Sequence, residues 1–356
     1  MKDVLVVMRM GRANTVAHLA PLAAAINPAR LHVVRPAPLP HGLDARNVVY
    51  TRVRGRWRPL EVAHTLVKAL SIARRNDLGL IVSFNAYPYG LFAALCGILT
   101  GTPFHVGFVG SDLRKARRRP WWLRPLLKAA FITAPGDGAS ADLAALGFGG
   151  PVYRLEHGVD PERFRPGDGT RDVDVVFVGA LIHRKRVDRI VDALASVRDA
   201  WPDLSAVIVG DGPLRQELER QVLNLDLGEA VRFVGPQPEP ERWLRRAKLF
   251  VMSSEWEGLP YALVEAMRCG AVPICTSAGS TDELITDGQN GVIASEGTAA
   301  DLARHMMRLL DDPQVREEMS TRAFTSTEDL THDAVERSWR HMLNTAIGTG
   351  TKETLD

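Results

Sequence analysis

Cysteine is scarce in this chain: its 356 residues include three, Cys96, Cys269 and Cys275. So few cysteines exclude the disulfide framework of a small secreted domain. No two of them have C-x-x-C spacing, which argues against a zinc site. The chain also lacks low-complexity tracts, and its hydrophobic content of 46% is too high for a disordered protein. The composition therefore indicates a folded protein with reduced thiols.

An excess of charge of either sign is also missing. The 44 Lys and Arg residues nearly balance the 42 Asp and Glu residues, which leaves a formal charge of +2. Such a balance gives no reason to expect a nucleic-acid partner. The first residues, MKDVLVVMRMG, have a short apolar part and no cleavage signal, so we expect no secretory leader. We therefore expect a cytoplasmic protein.

One stretch, residues 78–111, has no Asp, Glu, Lys or Arg. A membrane-spanning helix needs about 20 predominantly apolar residues. Here, however, prolines, glycines, Asn85 and His105 interrupt the stretch. It is better explained as a strand, a helix and a second strand that are buried in a parallel sheet.

Short β-branched segments alternate with amphipathic helical segments along the whole chain, which is typical of doubly wound α/β sheets. A segment rich in Pro, Gly and mixed charge, residues 157–172, interrupts the alternation. We therefore predict two Rossmann-like domains that face each other across a cleft, residues 1–165 and 166–332. A last helix at about 333–350 is expected to pack back on the first domain through Trp339 and Met342.

Residues 251–293 contain the densest set of polar residues that could bind a ligand or take part in a reaction. A strand ends at Ser253–Ser254, and a short loop with Glu257 precedes a helix that contains Glu265. The free N–H groups at such a helix start, around 259–261, attract anions, and nearby carboxylates suit sugar or ribose hydroxyls. The alternative is that these glutamates only favour a helix N-terminus and face solvent.

A second polar loop follows the strand DVVFVGA and carries four residues that bear or can acquire positive charge, His183, Arg184, Lys185 and Arg186. Cations at the carboxyl end of a strand can neutralise phosphate oxygens. The alternative is a solvated basic turn. The triplet Asp172–Asp174 opens a strand at its other end, so we interpret it as a solvated strand start and predict no metal site.

Several motifs of the chain occur in one order and spacing. They are the E-x7-E pair Glu257 and Glu265 with the following AMRCGAVP, the GDGPLR segment 210–215, the FVG at 233–235, and the segments HGVD at 157–160 and AGSTDE at 278–283 with DGQNG at 287–291. In these motifs the chain resembles the GT-B glycosyltransferases, specifically the retaining, nucleotide-sugar-dependent family 4. The resemblance covers most of residues 150–295. In the first domain it is limited to the layout and to a GSD element at 110–112.

The resemblance implies a retaining glycosyltransferase that moves a sugar from a nucleoside diphosphate, UDP or GDP in the first place, to a hydroxyl of a glycan or lipid-linked acceptor, without metal or other cofactor. Glu265 would hold the ribose, and Glu257 would lie beside the donor sugar and the reacting centre. Lys185 and the backbone amides that follow Glu257 would hold the diphosphate. The implied catalytic residues are Glu257 and Lys185. The implied donor-binding residues are Gly11, Arg184, Lys185, Gly258, Leu259, Pro260, Tyr261 and Glu265. Arg12 and Asp112 are implied on the acceptor side.

Four residues depart from the family pattern. Ala180 stands where an arginine usually follows the glycine of the phosphate loop, so Arg184 or Arg186 is a candidate to replace that charge. Arg186 and His157 occupy positions where the family has glycine and asparagine, and Val109 stands where it often has histidine. These departures keep open an alternative function, a nucleotide-sugar-binding subunit with little or no turnover.

The acceptor side has one prominent segment, residues 114–128, in which seven basic residues surround Trp121 and Trp122. Basic residues with interfacial aromatics are typical of a peripheral contact with an anionic membrane, here its cytoplasmic face. The alternative is a solvated loop whose tryptophans pack into the first domain.

Overall fold

The computed structural model describes residues 2–10, 12–39, 43, 46–53, 58–108, 112, 120–134, 138–154, 158–258 and 260–348. The chain divides into two compact units. The first unit comprises Met1–Gly158 and His332–Asp356, and the second comprises Val159–Thr331.

The first unit is built on a seven-stranded sheet in which every pairing is parallel. Its strands are β1 Asp3–Val7, β2 Leu31–Arg35, β3 Val48–Arg52, β4 Leu78–Ser83, β5 Phe104–Gly107, β6 Phe131–Ala134 and β7 Val152–Arg154. Their spatial order is β3-β2-β1-β4-β5-β6-β7. The central strands are hydrophobic almost throughout because helices cover both faces of a parallel sheet.

Among the described residues of the first unit, the helices before the second unit are α1 Arg12–Ile26, α2 Arg58–Arg75, α3 Leu91–Thr100 and α4 Gly138–Ala145. The apolar side chains of α1 fill the core on one face of the sheet, and those of α2 and α3 fill the core on the other. The uncharged stretch 78–111 thus forms β4, α3 and β5. Among the described residues, no helix has the length and apolar character needed to cross a membrane.

The second unit has a six-stranded parallel sheet. Its strands are β8 Val173–Val178, β9 Ala206–Val209, β10 Val231–Gly235, β11 Ala247–Met252, β12 Val272–Thr276 and β13 Val292–Ala294. Their order, β10-β9-β8-β11-β12-β13, is that of a Rossmann sheet. The chain switches direction across the sheet between β8 and β11, and ligands of such folds bind at this switch point. The predicted fold class, two Rossmann-like α/β domains, is confirmed.

The helices of the second unit are α5 Val187–Ala200, α6 Arg215–Asn224, α7 Glu241–Arg246, α8 Tyr261–Arg268, α9 Thr281–Leu284, α10 Ala299–Asp311 and α11 Pro313–Thr325. Helix α10 illustrates how the sequence specifies them. Thr298 caps it, since the Thr298 Oγ1 accepts a hydrogen bond of 3.1 Å from the Asp301 N–H. Leu302, Met306 and Leu309 then recur at helical spacing and are fully buried.

The chain returns to the first unit in its last helix, α12 His332–Ile347, which packs against α1. Trp339 and Met342 are buried there in the core that α1 also lines. The ring of Trp339 contacts Phe84 and His105 edge-on, at centroid distances of 5.9 and 5.4 Å.

The division after Gly158 differs from the sequence-based boundary after residue 165. Two contacts attach the intervening segment to the second unit. Phe164 is buried in the core of that unit, and Arg163 forms a 2.8 Å salt bridge with Glu241. The Pro- and Gly-rich composition predicted a linker, but it does not reveal a single buried phenylalanine.

Candidate functional site

Two loops meet at the switch point of the second sheet, one after β8 and one after β11. Hydrogen bonds hold them together. The Ser253 hydroxyl donates to the carbonyl oxygens of Lys185 at 3.0 Å and Arg186 at 2.6 Å, and the Glu255 N–H donates to the Arg184 carbonyl at 2.9 Å. The two polar segments that the sequence singled out are therefore adjacent in space.

Three charged side chains converge where the loops meet. The Lys185 Nζ lies 2.5 Å from the Glu257 Oε1, and an Arg184 guanidinium nitrogen lies 3.1 Å from the Glu257 Oε2. The same Arg184 nitrogen donates to the Trp256 carbonyl at 2.5 Å. The Glu257 side chain is only 6% exposed, whereas that of Arg184 is 40% exposed.

This arrangement has more positive than negative charge. Two cations share one buried carboxylate, so one positive charge remains uncompensated at the carboxyl ends of β8 and β11. Charges that are screened from water interact strongly, so such a site favours an anion. Arg184 is the cation with the greater access to solvent, and its guanidinium can reorient from Glu257 to a ligand.

Arg186 points into different surroundings. Its guanidinium binds Asp188 in a bidentate manner and approaches Glu255 to 3.3 Å. It lines a cavity of about 320 Å³ that also contains His183 and Glu217. Because the carboxylates of Asp188 and Glu255 both contact it, Arg186 contributes no free positive charge. Of the two arginines proposed to replace the missing phosphate-loop arginine, only Arg184 forms a salt bridge with Glu257.

The loop after β9 approaches the loop after β8 very closely. Gly210 has a φ of +136°, and a Cβ built on it would lie 1.8 Å from the carbonyl oxygen of Gly179. Only glycine fits such an approach. The GDG segment that the sequence analysis identified as a family motif therefore packs directly beneath the loop that carries Arg184 and Lys185.

Helix α8 begins immediately after the loop that carries Glu257. Pro260 is its N-cap residue, and the carbonyl oxygen of Pro260 accepts from the Leu263 N–H at 2.9 Å. The N–H groups of Gly258 and Ala262 donate to no acceptor among the described residues. Unpaired N–H groups at a helix start carry partial positive charge, which adds to the anion-binding character of the site.

Glu265 lies in the second turn of α8 and is partly buried. Burial raises the pKa of its carboxyl group to about 7; Glu241 adds to the rise and Arg163 opposes it. No hydrogen bond or salt bridge joins the Glu265 side chain to any described residue. Burial, and then the charge of Glu265, also raise the pKa of Tyr261 far above its ordinary value. Such a carboxyl group is available to accept hydrogen bonds from a ligand.

A third loop, after β12, forms hydrogen bonds with the backbone of Glu257 and Gly258. The Glu257 N–H donates to the Ala278 carbonyl at 2.9 Å, and the Ser280 hydroxyl donates to the Gly258 carbonyl. The sequence analysis quoted residues 278–283 only as a motif and assigned them no place in the site. Their small side chains and the glycine at 279 were the features of the sequence that could have indicated a close contact with the loop of Glu257.

Of the remaining candidate residues, some lie outside the described part of the chain and one, Asp112, lies within it. Gly11, Leu259 and the side chain of Arg12 lie outside the described residues, as do Val109 and His157. Asp112 belongs to the first unit and is buried, where its carboxylate accepts from the Ala86 N–H at 3.0 Å. This contact gives Asp112 a structural role, and its acceptor-side role stays a prediction.

Two further sequence interpretations concern surface groups. In segment 114–128, residues 113–119 and the side chain of Trp121 lie outside the described residues. Trp122 is buried in the core of the first unit, so it cannot contribute to a membrane-facing surface. Asp172 and Asp174 form salt bridges with Arg246 and Lys248 at 2.6 and 2.7 Å. Asp172 is exposed, as expected for a solvated strand start, whereas Asp174 is buried, so the solvated interpretation was wrong for Asp174.

Comparison with known proteins agrees with this geometry. Residues 159–325 match the family described as glycosyl transferases group 1. The chain is 32% identical over 190 residues to the GDP-mannose-dependent alpha-(1-6)-phosphatidylinositol monomannoside mannosyltransferase of Mycolicibacterium smegmatis, covering 46% of this chain and 49% of that protein. It is 24% identical over 287 residues to the lipopolysaccharide core biosynthesis mannosyltransferase LpcC of Rhizobium leguminosarum, covering 76% and 75%.

Among solved structures, Anabaena HepE in complex with UDP and glucose superposes with a TM-score of 0.77 at 18% identity, over 97% of this chain and 100% of that one. At this identity the likeness shows the fold alone, two Rossmann-like α/β domains as in GT-B glycosyltransferases. The chain spans about half the length, or less, of most of the curated relatives that it matches.

Proposed function

Because the chain carries a glycosyl transferases group 1 domain at residues 159–325, we propose that it transfers a sugar from a nucleoside diphosphate to a hydroxyl acceptor with retention of configuration. The observation that carries this proposal is the convergence of Arg184 and Lys185 on the buried Glu257 at the switch point of the second sheet. Two cations on one carboxylate leave positive charge where a Rossmann sheet binds its ligand.

The donor would bind through its diphosphate and its ribose. The diphosphate would be held by Arg184, Lys185 and the N–H groups at the start of α8. Glu265, seven residues after Gly258, would accept hydrogen bonds from the ribose hydroxyls because no described residue occupies its carboxyl group. We propose UDP or GDP as the nucleotide, because HepE forms a complex with UDP and the M. smegmatis relative is GDP-mannose-dependent.

The same cations would assist the chemical step. When the bond between the sugar and the diphosphate breaks, negative charge develops on the leaving oxygen. Fixed cations and N–H dipoles stabilise that charge, and removal of one such donor costs about 3–4 kcal/mol in comparable sites. With Arg184 and Lys185 in this role the transfer needs no metal ion, and activity in the presence of a chelator tests that part of the proposal.

Glu257 would change partners when the donor binds. Its carboxylate pairs with Lys185 and Arg184, and the diphosphate would take over these two cations. The released carboxylate would then accept hydrogen bonds from hydroxyls of the transferred sugar. Glu257 would thus compete with the diphosphate for the two cations and position the sugar once the donor is bound.

The acceptor would be a glycan or a lipid-linked sugar. The M. smegmatis relative is named for a phosphatidylinositol monomannoside, and LpcC is named for the lipopolysaccharide core. We propose the same broad class for this protein.

The test is calorimetric titration with UDP, GDP, UDP-glucose and GDP-mannose, together with release of nucleotide from each sugar donor. Lys185→Met should weaken donor binding about 100-fold, since it removes a charge-assisted contact. Glu257→Gln should keep or strengthen binding of the free nucleotide while it abolishes turnover. Lys248→Met is the matched control, because Lys248 pairs with Asp174 in the same unit.

Two results would count against the proposal. Turnover that survives in both Lys185→Met and Glu257→Gln would remove these residues from the reaction. Tight binding by the wild-type protein without turnover of any donor would instead favour a nucleotide-sugar-binding subunit. That alternative is open because Ala180 stands where the family usually has an arginine.

A further inference from the structure

Helix α3 has an exposed face that is entirely apolar. The helix contains no charged residue, and its inner side, with Ala93 and Cys96, is buried in the first unit. On its outer side Leu95, Ile98 and Leu99 are 41%, 48% and 51% exposed. Their spacing places them in one stripe along the helix. A helix on the surface of a globular protein usually turns polar side chains to the solvent, so this face is unusual.

Two neighbouring elements also expose large apolar side chains. Helix α2 packs beside α3 and exposes Val67, and Tyr87 is exposed just before α3 begins. A stripe of exposed apolar side chains such as that of α3 marks a site of contact with another molecule or with a membrane.

The elements around α3 are basic. Five exposed basic residues belong to α2 and to the segment 120–128: Lys68, Arg74, Arg75, Arg124 and Lys128. Lys128 ends a short helical turn that packs against α3. The one acidic residue in these described elements, Glu61, pairs with Arg9 at 3.2 Å. An anionic partner would therefore meet no opposing free carboxylate here.

The two units differ sharply in charge, although the whole chain is nearly neutral. The first unit, residues 1–158 and 332–356, contains 24 Lys and Arg against 12 Asp and Glu, a formal charge of +12. Residues 159–331 contain 20 against 30, a formal charge of −10. The apolar face of α3 thus belongs to a strongly basic unit, and a second copy of the chain would bring two like-charged faces together.

We propose that the first unit docks on an anionic lipid surface through the apolar face of α3, with the basic residues of α2 and of segment 120–128 contacting lipid headgroups. Exposed apolar side chains flanked by Lys and Arg are the combination that binds bilayer interfaces. This places the contact on α3 and not on Trp122, which is buried. The docking does not depend on sugar transfer, so vesicle binding and donor binding are measured separately.

The test is co-sedimentation of the full chain with vesicles of phosphatidylcholine and phosphatidylglycerol, and with vesicles of phosphatidylcholine alone. The protein should bind the mixed vesicles, bind the neutral ones at least about tenfold more weakly, and dissociate at high salt. The triple variant Leu95→Ser, Ile98→Ser, Leu99→Ser should lose binding at least about tenfold. Leu223→Ser, at an exposed leucine of the second unit, is the matched control.

Two further variants keep the test decisive if the triple variant misfolds. Lys68→Glu with Lys128→Glu retains the apolar face and should weaken binding to the anionic vesicles about fivefold per residue. A fluorophore on Leu99→Cys should be quenched by brominated lipid and one on Leu223→Cys should not. The native cysteines of the chain are buried, so labelling is selective.

Equal binding by the triple variant, equal binding to both kinds of vesicle, or an unquenched label at position 99 would each overturn the proposal. Self-association in solution that the triple variant abolishes would assign the face to a second copy of the chain instead. In every one of these cases the titrations with UDP and GDP would be unaffected, so failure of the docking proposal is distinguishable from failure of the proposed function.

Discussion

The carbonyl oxygen of Glu257 lies directly against Gly279: a Cβ built on Gly279 would approach that oxygen to 2.7 Å. Gly279 also has a φ of +73°, a conformation that other residues seldom adopt. The backbone of Glu257 is thus in close contact with Gly279, which belongs to the loop after β12.

This contact predicts that Gly279→Ala displaces Glu257. We expect donor turnover to fall at least about tenfold, because sub-ångström shifts of catalytic groups are costly. Gly288→Ala is the matched control, since Gly288 has a φ of +72° but open space around its Cβ position. That variant should lose only about 1–2 kcal/mol of the free energy of unfolding and keep its activity. Equal losses of turnover in the two variants would show that backbone strain alone is responsible.

The two arginines beside Lys185 should respond differently to substitution. Arg184→Gln should weaken nucleotide binding about 10- to 100-fold, because the guanidinium faces the anion site. Arg186→Gln should change binding by less than about threefold, because Asp188 and Glu255 already neutralise Arg186. Calorimetry with UDP and GDP measures both effects. A larger loss in Arg186→Gln than in Arg184→Gln would reverse the assignment.

Donor affinity should depend on pH through Glu265, whose pKa is raised to about 7. The ionised carboxylate is the better acceptor for ribose hydroxyls, so affinity for a nucleotide sugar should fall about tenfold between pH 8 and pH 6. In Glu265→Gln this dependence should disappear. A 2′-deoxy donor provides the second control, since it removes one of the hydroxyls that Glu265 would bind.

The same group makes a prediction for stability. Between pH 4.5, the ordinary pKa of a glutamate, and the raised pKa of about 7, the folded protein binds more protons at Glu265 than the unfolded chain does. The free energy of unfolding should therefore decrease as pH rises through this interval, and Glu265→Gln should be stabilised relative to wild type at pH 8. An unchanged difference between the two proteins from pH 4.5 to pH 8 would contradict the raised pKa.

Two buried histidines should make the first unit sensitive to acid. Burial lowers the pKa of His18 to about 4 and that of His105 to about 3. The unfolded chain takes up these protons near the ordinary histidine pKa of 6.5, so the free energy of unfolding should fall as pH drops below 6.5. The expected loss approaches about 1.4 kcal/mol per pH unit for each histidine.

His105→Gln tests this prediction, because a glutamine can keep the contact that the His105 Nε2 makes with the Thr133 hydroxyl at 2.9 Å. Its thermal midpoint should fall less steeply between pH 6.5 and pH 4.5 than that of the wild type. The exposed His64 provides the control variant His64→Gln, which should follow the wild-type curve.

Much of the fold could be predicted from sequence because each element has a local signature. Strand segments are β-branched, and helices such as α10 carry a cap and an apolar face, so the alternation of strands and helices was clear. The place of Glu257 and Lys185 also followed, since both come directly after strands. The packing of Phe164 on the second unit and the burial of Trp122 could not be predicted, because both depend on tertiary contacts between residues distant in sequence.

Which arginine accompanies Lys185 was also not predictable. Arg184 and Arg186 are both basic residues in a short turn, and nothing in their order distinguishes them. The distinction arises from Asp188 and Glu255, which reach Arg186 from α5 and from the loop after β11. The local sequence shows which residues are charged, but it does not show which carboxylate each arginine will pair with.

The return of α12 to the first unit has a consequence for biosynthesis. The first sheet is translated before the second unit, yet the helix that covers Phe84, His105 and Phe131 is translated after it. The second unit is continuous in sequence and is complete before that helix appears. Domains fold as their residues become available. The second unit can therefore fold before the first unit, whose sheet is made earlier, receives α12.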